Sequence, residues 1–266
     1  MPGSSLPLLK GVFPFRLSVP SFIIPADILP NVRFLGPHVD EIELLFFESA
    51  SAYCQSLPGR DTIARLGELA DALDVRYNVH LPIDLYPGDC DAEIRRRAGE
   101  TLLRFYDRIS PLHPSCYVLH LERCRPGREA EPEDVWLKRC RDSLGWMIDR
   151  GMDPSRVAVE NLNSPPQRMQ DMVLELGFKF CLDIGHLLLA GEDLQSMLQT
   201  CLPETVMIHL HGVREGRDHR SLENIGSETW TVLSEQLSGY GQGLSVEVFS
   251  RDKLQRSLPL MERFRT

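Results

Sequence analysis

The 266-residue chain has no apolar run approaching the roughly 18 residues a membrane-spanning helix needs, so no membrane partner is expected. Its opening, MPGSSLPLLKGVFPF, offers no basic segment followed by a long apolar stretch. A secretory leader is therefore not expected, and the expected location is cytoplasmic. The seven cysteines, at 54, 90, 116, 124, 140, 181 and 201, form no CxxC pair and are odd in number. That pattern fits idle thiols in a reducing compartment better than a disulfide framework. A surplus of positive charge is also missing, since the formal net charge is −9. A nucleic-acid partner is disfavoured, because affinity for a polyphosphate rests on a basic footprint. The G-x-S-x-G turn and the glycine-rich phosphate loop are absent as well. Neither a serine nucleophile nor a nucleotide cradle is indicated.

What the chain does have is alternation. Apolar runs with strand character fall at Phe15–Pro20, Glu41–Glu48, Arg76–Pro82, Cys116–Glu122, Val157–Asn161, Lys179–Ile184, Val206–His211 and Leu244–Phe249. Between them the apolar period is near 3.6. RDTIARLGELADALD places Ile63, Leu66, Ala70 and Leu73 on one helical face. In SPPQRMQDMVLELG, Ser164 suits a cap, Pro165 the first helical position and Gly177 the C-terminal end. DAEIRRRAGETLLRFYDRI and EPEDVWLKRCRDSLGWMIDRG read as longer amphipathic helices. Eight strands alternating with helices predict an α/β protein with a parallel sheet, and eight repeats allow closure. With no linker or composition break, a single (β/α)8 TIM barrel spans residues 1–266, with 1–13 as a loosely structured extension.

In such a barrel the loops after each strand line the open face, so chemistry gathers at strand ends. Strand three ends YNVHLP with His80, strand four YVLHLE with His120, and strand five VAVEN with Glu160. Strand six delivers Asp183 with His186 beyond it, strand seven His209 and His211, and strand eight Glu247. The loop after strand seven adds Asp218 and His219. His38 and His113 precede strands and belong to the opposite face. Ionised carboxylates at buried strand ends are costly unless paired or bound to a cation, and no lysine accompanies these. Imidazoles mixed with carboxylates suit Zn²⁺, Mn²⁺ or Fe²⁺ better than Mg²⁺ or Ca²⁺. Six contributing strands exceed the needs of one tetrahedral ion, which predicts two or three divalent transition metals. Glu48, Asn161, His211, Arg214 and Arg217 are candidate substrate contacts, and Asn163 with Asn161 could orient ligands. Glu43, deeper in strand two, reads as structural.

This ligand order resembles that of the xylose-isomerase-like barrels, which include endonuclease IV and the sugar isomerases and epimerases, over nearly the whole chain. The resemblance implies that His80, His120 and Glu160 hold one metal. Glu160 would bridge to a second held with Asp183, His209 and Glu247. A third would use His186, Asp218 and His219, although these last two adjoin where endonuclease IV has Asp-x-His. Glu160, Glu247 and His186 are then the candidate catalytic residues. Single-metal sugar epimerases share Glu160, Asp183, His209 and Glu247 but usually lack histidines on strands three and four. His80 and His120 therefore favour phosphodiester cleavage.

The stretch FPFRLSVPSFIIPADILPNVRFLGPHVDEIELLFFES is similar to the opening of the cobamide-remodelling phosphodiesterases. That family cleaves the nucleotide loop of a cobamide, releasing cobinamide phosphate and alpha-ribazole. SVPSF departs from the more polar, threonine-bearing turn of those relatives. The resemblance implies a metal-dependent phosphodiesterase with a small-molecule partner, a cobamide. Loops LPIDLYPGDC and SFIIPAD would supply Leu81, Ile83, Tyr86, Phe22 and Ile23 for its apolar parts. The competing readings are a sugar isomerase or epimerase in which Glu160 and Glu247 move protons, an abasic-site endonuclease, and a silent corrinoid or metal carrier.

Overall fold

A computed structural model describes residues 6–49, 57–162 and 165–265. Among the described residues ten strands follow in chain order: β1 Arg16–Pro20, β2 Glu41–Leu45, β3 Arg76–His80, β4 Tyr117–Leu119, β5 Val157–Glu160, β6 Lys179–Asp183, β7 Thr205–Leu210, β8 Gly212–Arg214, β9 Arg217–Arg220 and β10 Gly243–Val246. Eight of them close into a parallel barrel in the order β1-β10-β7-β6-β5-β4-β3-β2, while β8 and β9 pair as an antiparallel hairpin. Each barrel strand overlaps one of the eight predicted runs. Around them lie α1 Ile28–Leu35, α2 Arg60–Leu73, α3 Ala92–Ile109, α4 Glu133–Ile148, α5 Gln170–Glu175, α6 Ile184–Ala190, α7 Leu194–Cys201, α8 Ser227–Gln236 and α9 Arg251–Ser257. The two longest, α3 and α4, are those read from the sequence.

Strand alternation divides the side chains between two layers. Ile42, Leu44, Tyr77, Val79, Tyr117, Leu119, Val159, Leu182, Ile208 and Val246 join the large core between strands and helices. The positions between them face the barrel interior, where Cys116, Val118, Ala158, Cys181 and Met207 form a separate small cluster. The rest of the interior is polar and bonded. Asn78 Nδ2 donates to Ser18 Oγ at 2.8 Å, Arg16 pairs with Glu41 at 2.5 Å, and Ser245 Oγ donates to Glu43 Oε2 at 2.6 Å.

Three sequence expectations change. Residues 6–13 form no helix or strand, yet they are anchored: Leu6, Leu9 and Phe13 are buried, and Lys10 Nζ donates to the carbonyls of Leu73 and Asp74. Apolar side chains docked on the core hold that segment, while residues 1–5 lie outside the described residues. The helix expected from Pro165 begins as a 3-10 turn at Pro166–Arg168, and α5 starts only at Gln170. Ser164, its expected cap, lies outside the described residues. Gly177 follows that helix at φ +82°, a left-handed position that suits glycine. Strand six ends at Asp183 rather than Ile184, because the Asp183 carboxylate caps α6 by accepting the His186 N–H at 2.7 Å.

Candidate metal centre

His80, Glu160, Asp183 and His209 occupy the last inward positions of β3, β5, β6 and β7. His120 and Glu247 sit one residue beyond β4 and β10. Each follows an outward apolar residue, so the alternation that packs the helices also aims these six groups into one mouth. Glu160 Oε2 is the hub. It lies 3.4 Å from His80 Nε2, 3.1 Å from His120 Nε2 and 3.5 Å from His209 Nδ1. Glu247 Oε2 lies 3.3 Å from the same His209 nitrogen. Ligand atoms of His80, His120 and Glu160 fall within 4.8 Å of one another, and so do those of Glu160, Asp183, His209 and Glu247. The structure thus brings together both sets that the resemblance implied.

The ring orientations suit metal ligation. His80 Nδ1 lies 2.9 Å from the Leu81 carbonyl and His186 Nδ1 3.0 Å from that of Asn161. A proton on each Nδ1 satisfies the carbonyl and leaves the Nε2 lone pair facing the mouth. Several buried atoms make no well-aligned hydrogen bond among the described residues, both nitrogens of His209, Glu247 Oε2 and Glu43 Oε1, although His209 Nε2 and Glu43 Oε1 lie 3.0 Å apart. Orphaned buried polar atoms call for a partner outside the chain, and a mixed nitrogen–oxygen set calls for a divalent transition metal. The electrostatics agree. Burial pushes the Glu160 carboxyl up, but His209 and His120 outweigh it and hold the group well below its ordinary value. Burial likewise opposes Glu247, which His209 and His219 pull far down. Conversely, burial would lower His209, yet the surrounding acidic groups, Glu43, Glu247 and Glu160 among them, raise it well above its usual range. Without a cation, imidazolium protons neutralise the carboxylates; a divalent ion held there would take the place of those protons.

The third set is looser. His186 Nε2 stands 4.0 Å and His219 Nε2 3.9 Å from Asp218 Oδ2, on a side chain 47% exposed. Asp218 and His219 lie on β9 of the hairpin, where the sequence pattern predicts only a loop. His186, His211 and His219 also fall within 4.8 Å of one another.

Among the expected substrate contacts, two are buried behind the site. His211 is fully buried: its Nε2 lies 3.2 Å from Asp183 Oδ2 and its Nδ1 accepts the His219 N–H. Gly185 leaves room for that ring, since a Cβ there would lie 1.9 Å from His211 Cε1. Asn161 is buried too, with its amide bridging β5 to the Asp183 backbone at 2.7 and 3.0 Å. Both residues therefore support ligands from behind. Glu48 is exposed and outside the cavity lining. Arg214 and Arg217 are exposed on the hairpin, Arg214 beside Glu215 at 3.3 Å. Asn163 lies outside the described residues. Of the expected apolar contacts, Leu81 and Ile23 belong to the core, whereas Ile83 lines the mouth.

Sequence reasoning missed the place of Glu43, and it missed Phe47 and Phe249, which join the expected Phe22 in an aromatic wall. Glu43 Oε1 stands 3.0 Å from His209 Nε2, behind the ring that aims Nδ1 at the centre. The signal was parity: Glu41 and Glu43 alternate with Ile42 and Leu44, which puts both carboxylates inside the barrel. Phe22, Phe47 and Phe249 stack edge to face at 5.2 and 5.4 Å, and Phe249 lies 4.6 Å from the His219 ring. Phe47 and Phe249 line a cavity of about 260 Å³ with His80, His120, Glu160 and His186.

The family described as xylose isomerase-like TIM barrel matches residues 35–264, and the chain belongs to it. A search of curated protein sequences finds no significant match. Among solved structures, a D-tagatose 3-epimerase-like protein superposes with a TM-score of 0.77 at 16% identity, covering 94% of this chain and 97% of that one. The 3-keto-D-glucoside 4-epimerase from E. coli gives 0.71 at 16% identity, over 94% and 99%. Endonuclease IV from Thermus thermophilus gives 0.71 at 14%, over 94% and 98%. At these identities the likeness is one of fold. Enzymes of both kinds, epimerases and an endonuclease, share this barrel.

Proposed function

We propose that this barrel is a metal-dependent phosphodiesterase that hydrolyses the nucleotide loop of cobamides. The observation that carries the reading is the pair His80 and His120 converging on one oxygen of Glu160, at 3.4 and 3.1 Å. These histidines add a ligand set beside the four residues that a single metal would use. Divalent transition metals held by the two sets would supply Lewis-acid charge to a phosphodiester. The residues do the rest. Glu160, kept ionised by its histidine neighbours and shared by both ligand sets, would hold the attacking water in place by accepting its hydrogen bond. Glu247, ionised beside the same His209 nitrogen that Glu160 approaches, would complete the second ligand set. His186, when no metal fills the third set, carries a proton on Nε2 toward Asp218 and would deliver it to the leaving oxygen. Phe47 and Phe249 shield one side of the mouth from water and suit a large, flat, apolar group.

A net charge of −9 supports a near-neutral corrinoid over abasic DNA, whose binding leans on several cationic contacts. No helix among the described residues is long and apolar enough to cross a membrane. The test is a side-by-side assay of cobalamin and an abasic duplex with metal-reconstituted protein, with metal counted by elemental analysis. Two or more ions per chain and release of alpha-ribazole, abolished by chelation, are expected. One ion with ketose epimerisation, or DNA incision with intact cobalamin, overturns the reading.

A further inference from the structure

Beside the metal mouth, the loops after β3 and β4 and the first turns of α4 enclose a recess of about 410 Å³. Arg123, Cys124 and Trp136 wall both this recess and a cavity of about 230 Å³, which in turn shares Glu122, Glu160 and Leu162 with the metal mouth. The three spaces thus share walls from Glu160 outward.

The recess is built, and its charges are largely cancelled. Arg125 Nε holds Asp89 at 2.6 Å, Arg139 pairs with Glu131, and Ser143 Oγ ties the Pro87 carbonyl at 2.7 Å. Burial pushes the Asp89 carboxyl up, but the Asp91 N–H and Arg125 outweigh it and keep the group ionised. Arg123 donates through Nη2 to the Glu131 carbonyl at 2.7 Å, while its Nε is buried without a partner among the described residues. Trp136, buried in the core behind the recess, donates from Nε1 to the Glu122 carbonyl at 3.2 Å. Arg128 stands exposed at the edge beside Glu129. Spare N–H donors without a strong positive field fit neutral acceptors better than a polyanion. A buried donor without a partner marks where an acceptor from outside the chain belongs.

We propose that this recess binds the carboxamide-bearing edge of the corrin ring, with Arg123 and Arg128 donating to amide oxygens. The inference rests on the cobamide reading and adds a second anchor to it, remote from the scissile phosphodiester.

Dicyanocobinamide, a corrinoid without a nucleotide loop, separates the two. Equilibrium dialysis against wild-type protein should show saturable binding. Arg123→Met and Arg128→Met should each weaken it about tenfold, the loss expected for a hydrogen bond from a charged donor. The same variants should raise the KM for cobalamin. Metal content and thermal midpoint report whether the loop keeps its shape; should Arg123→Met lower the midpoint, exposed Arg128→Met decides alone. Cobalamin cleavage without cobinamide binding, or cobinamide binding indifferent to both substitutions, overturns the recess while leaving the phosphodiesterase intact. Cobinamide binding that is sensitive to both, without any cleavage, keeps the recess and removes the phosphodiesterase. Inorganic phosphate bound in place of cobinamide also overturns it.

Discussion

The two sides of the mouth are built by different means. On the β3–β5 side, His80, His120 and Glu160 ride on a hydrogen-bonded ladder whose register pairs His80 with Val118 and Glu160 with Cys181. Their spacing is inherited from the barrel. On the β7 side, Asp218 and His219 ride on a two-stranded hairpin that turns through Glu215 at φ +55° and Gly216 at φ +69°. His219 itself sits at φ +46°, a region that costs a non-glycine residue roughly 1–2 kcal/mol. It is held there by its N–H to His211 Nδ1 at 3.0 Å and by Lys253 Nζ donating to its carbonyl at 2.9 Å. A ligand carried by the barrel is hard to move without unfolding. One carried by the hairpin depends on a few contacts, and is the side that loop variation can retune.

That contrast is open to test. The largest effect belongs to the ladder side. His80→Ala and His120→Ala are each expected to cut cobamide hydrolysis by about a hundredfold or more, the scale of losing one well-placed electrostatic group. Steady-state kinetics with metal content measured alongside will show it; near-normal turnover in both variants returns the chain to the isomerase reading.

A smaller effect is expected behind the centre. Glu43→Gln keeps the shape but removes the charge 3.0 Å from His209 Nε2. Metal affinity should fall about ten- to a hundredfold, as for other outer partners of ligating histidines. Competitive titration with a chelating dye measures it, and unchanged affinity would make Glu43 a structural residue after all.

The smallest change is expected on the hairpin. Asp218 is half exposed and about 4 Å from its histidines. Asp218→Asn should alter activity by about fivefold or less, as for a solvated ion pair. A loss as large as that of His120→Ala would mean that the hairpin completes an indispensable third ligand set.

The sequence by itself determined the barrel and the ligand types. Period-two runs separated by period-3.6 runs leave few foldable alternatives, and a residue's parity on a strand decides which layer it enters. His80, His120, Glu160, Asp183, His209 and Glu247 were legible because each closes a strand at the rim where a barrel gathers its chemistry. Tertiary structure alone decided what sits behind and beside them. That His211 and Asn161 brace Asp183, that Glu43 backs His209, and that Phe47 and Phe249 wall the mouth depend on contacts between strands far apart in the chain. The hairpin was likewise hidden, because its turn rests on Glu215 adopting a conformation that its side chain does not announce. Local pattern reports which way a residue faces; only the closed barrel reports what it meets there.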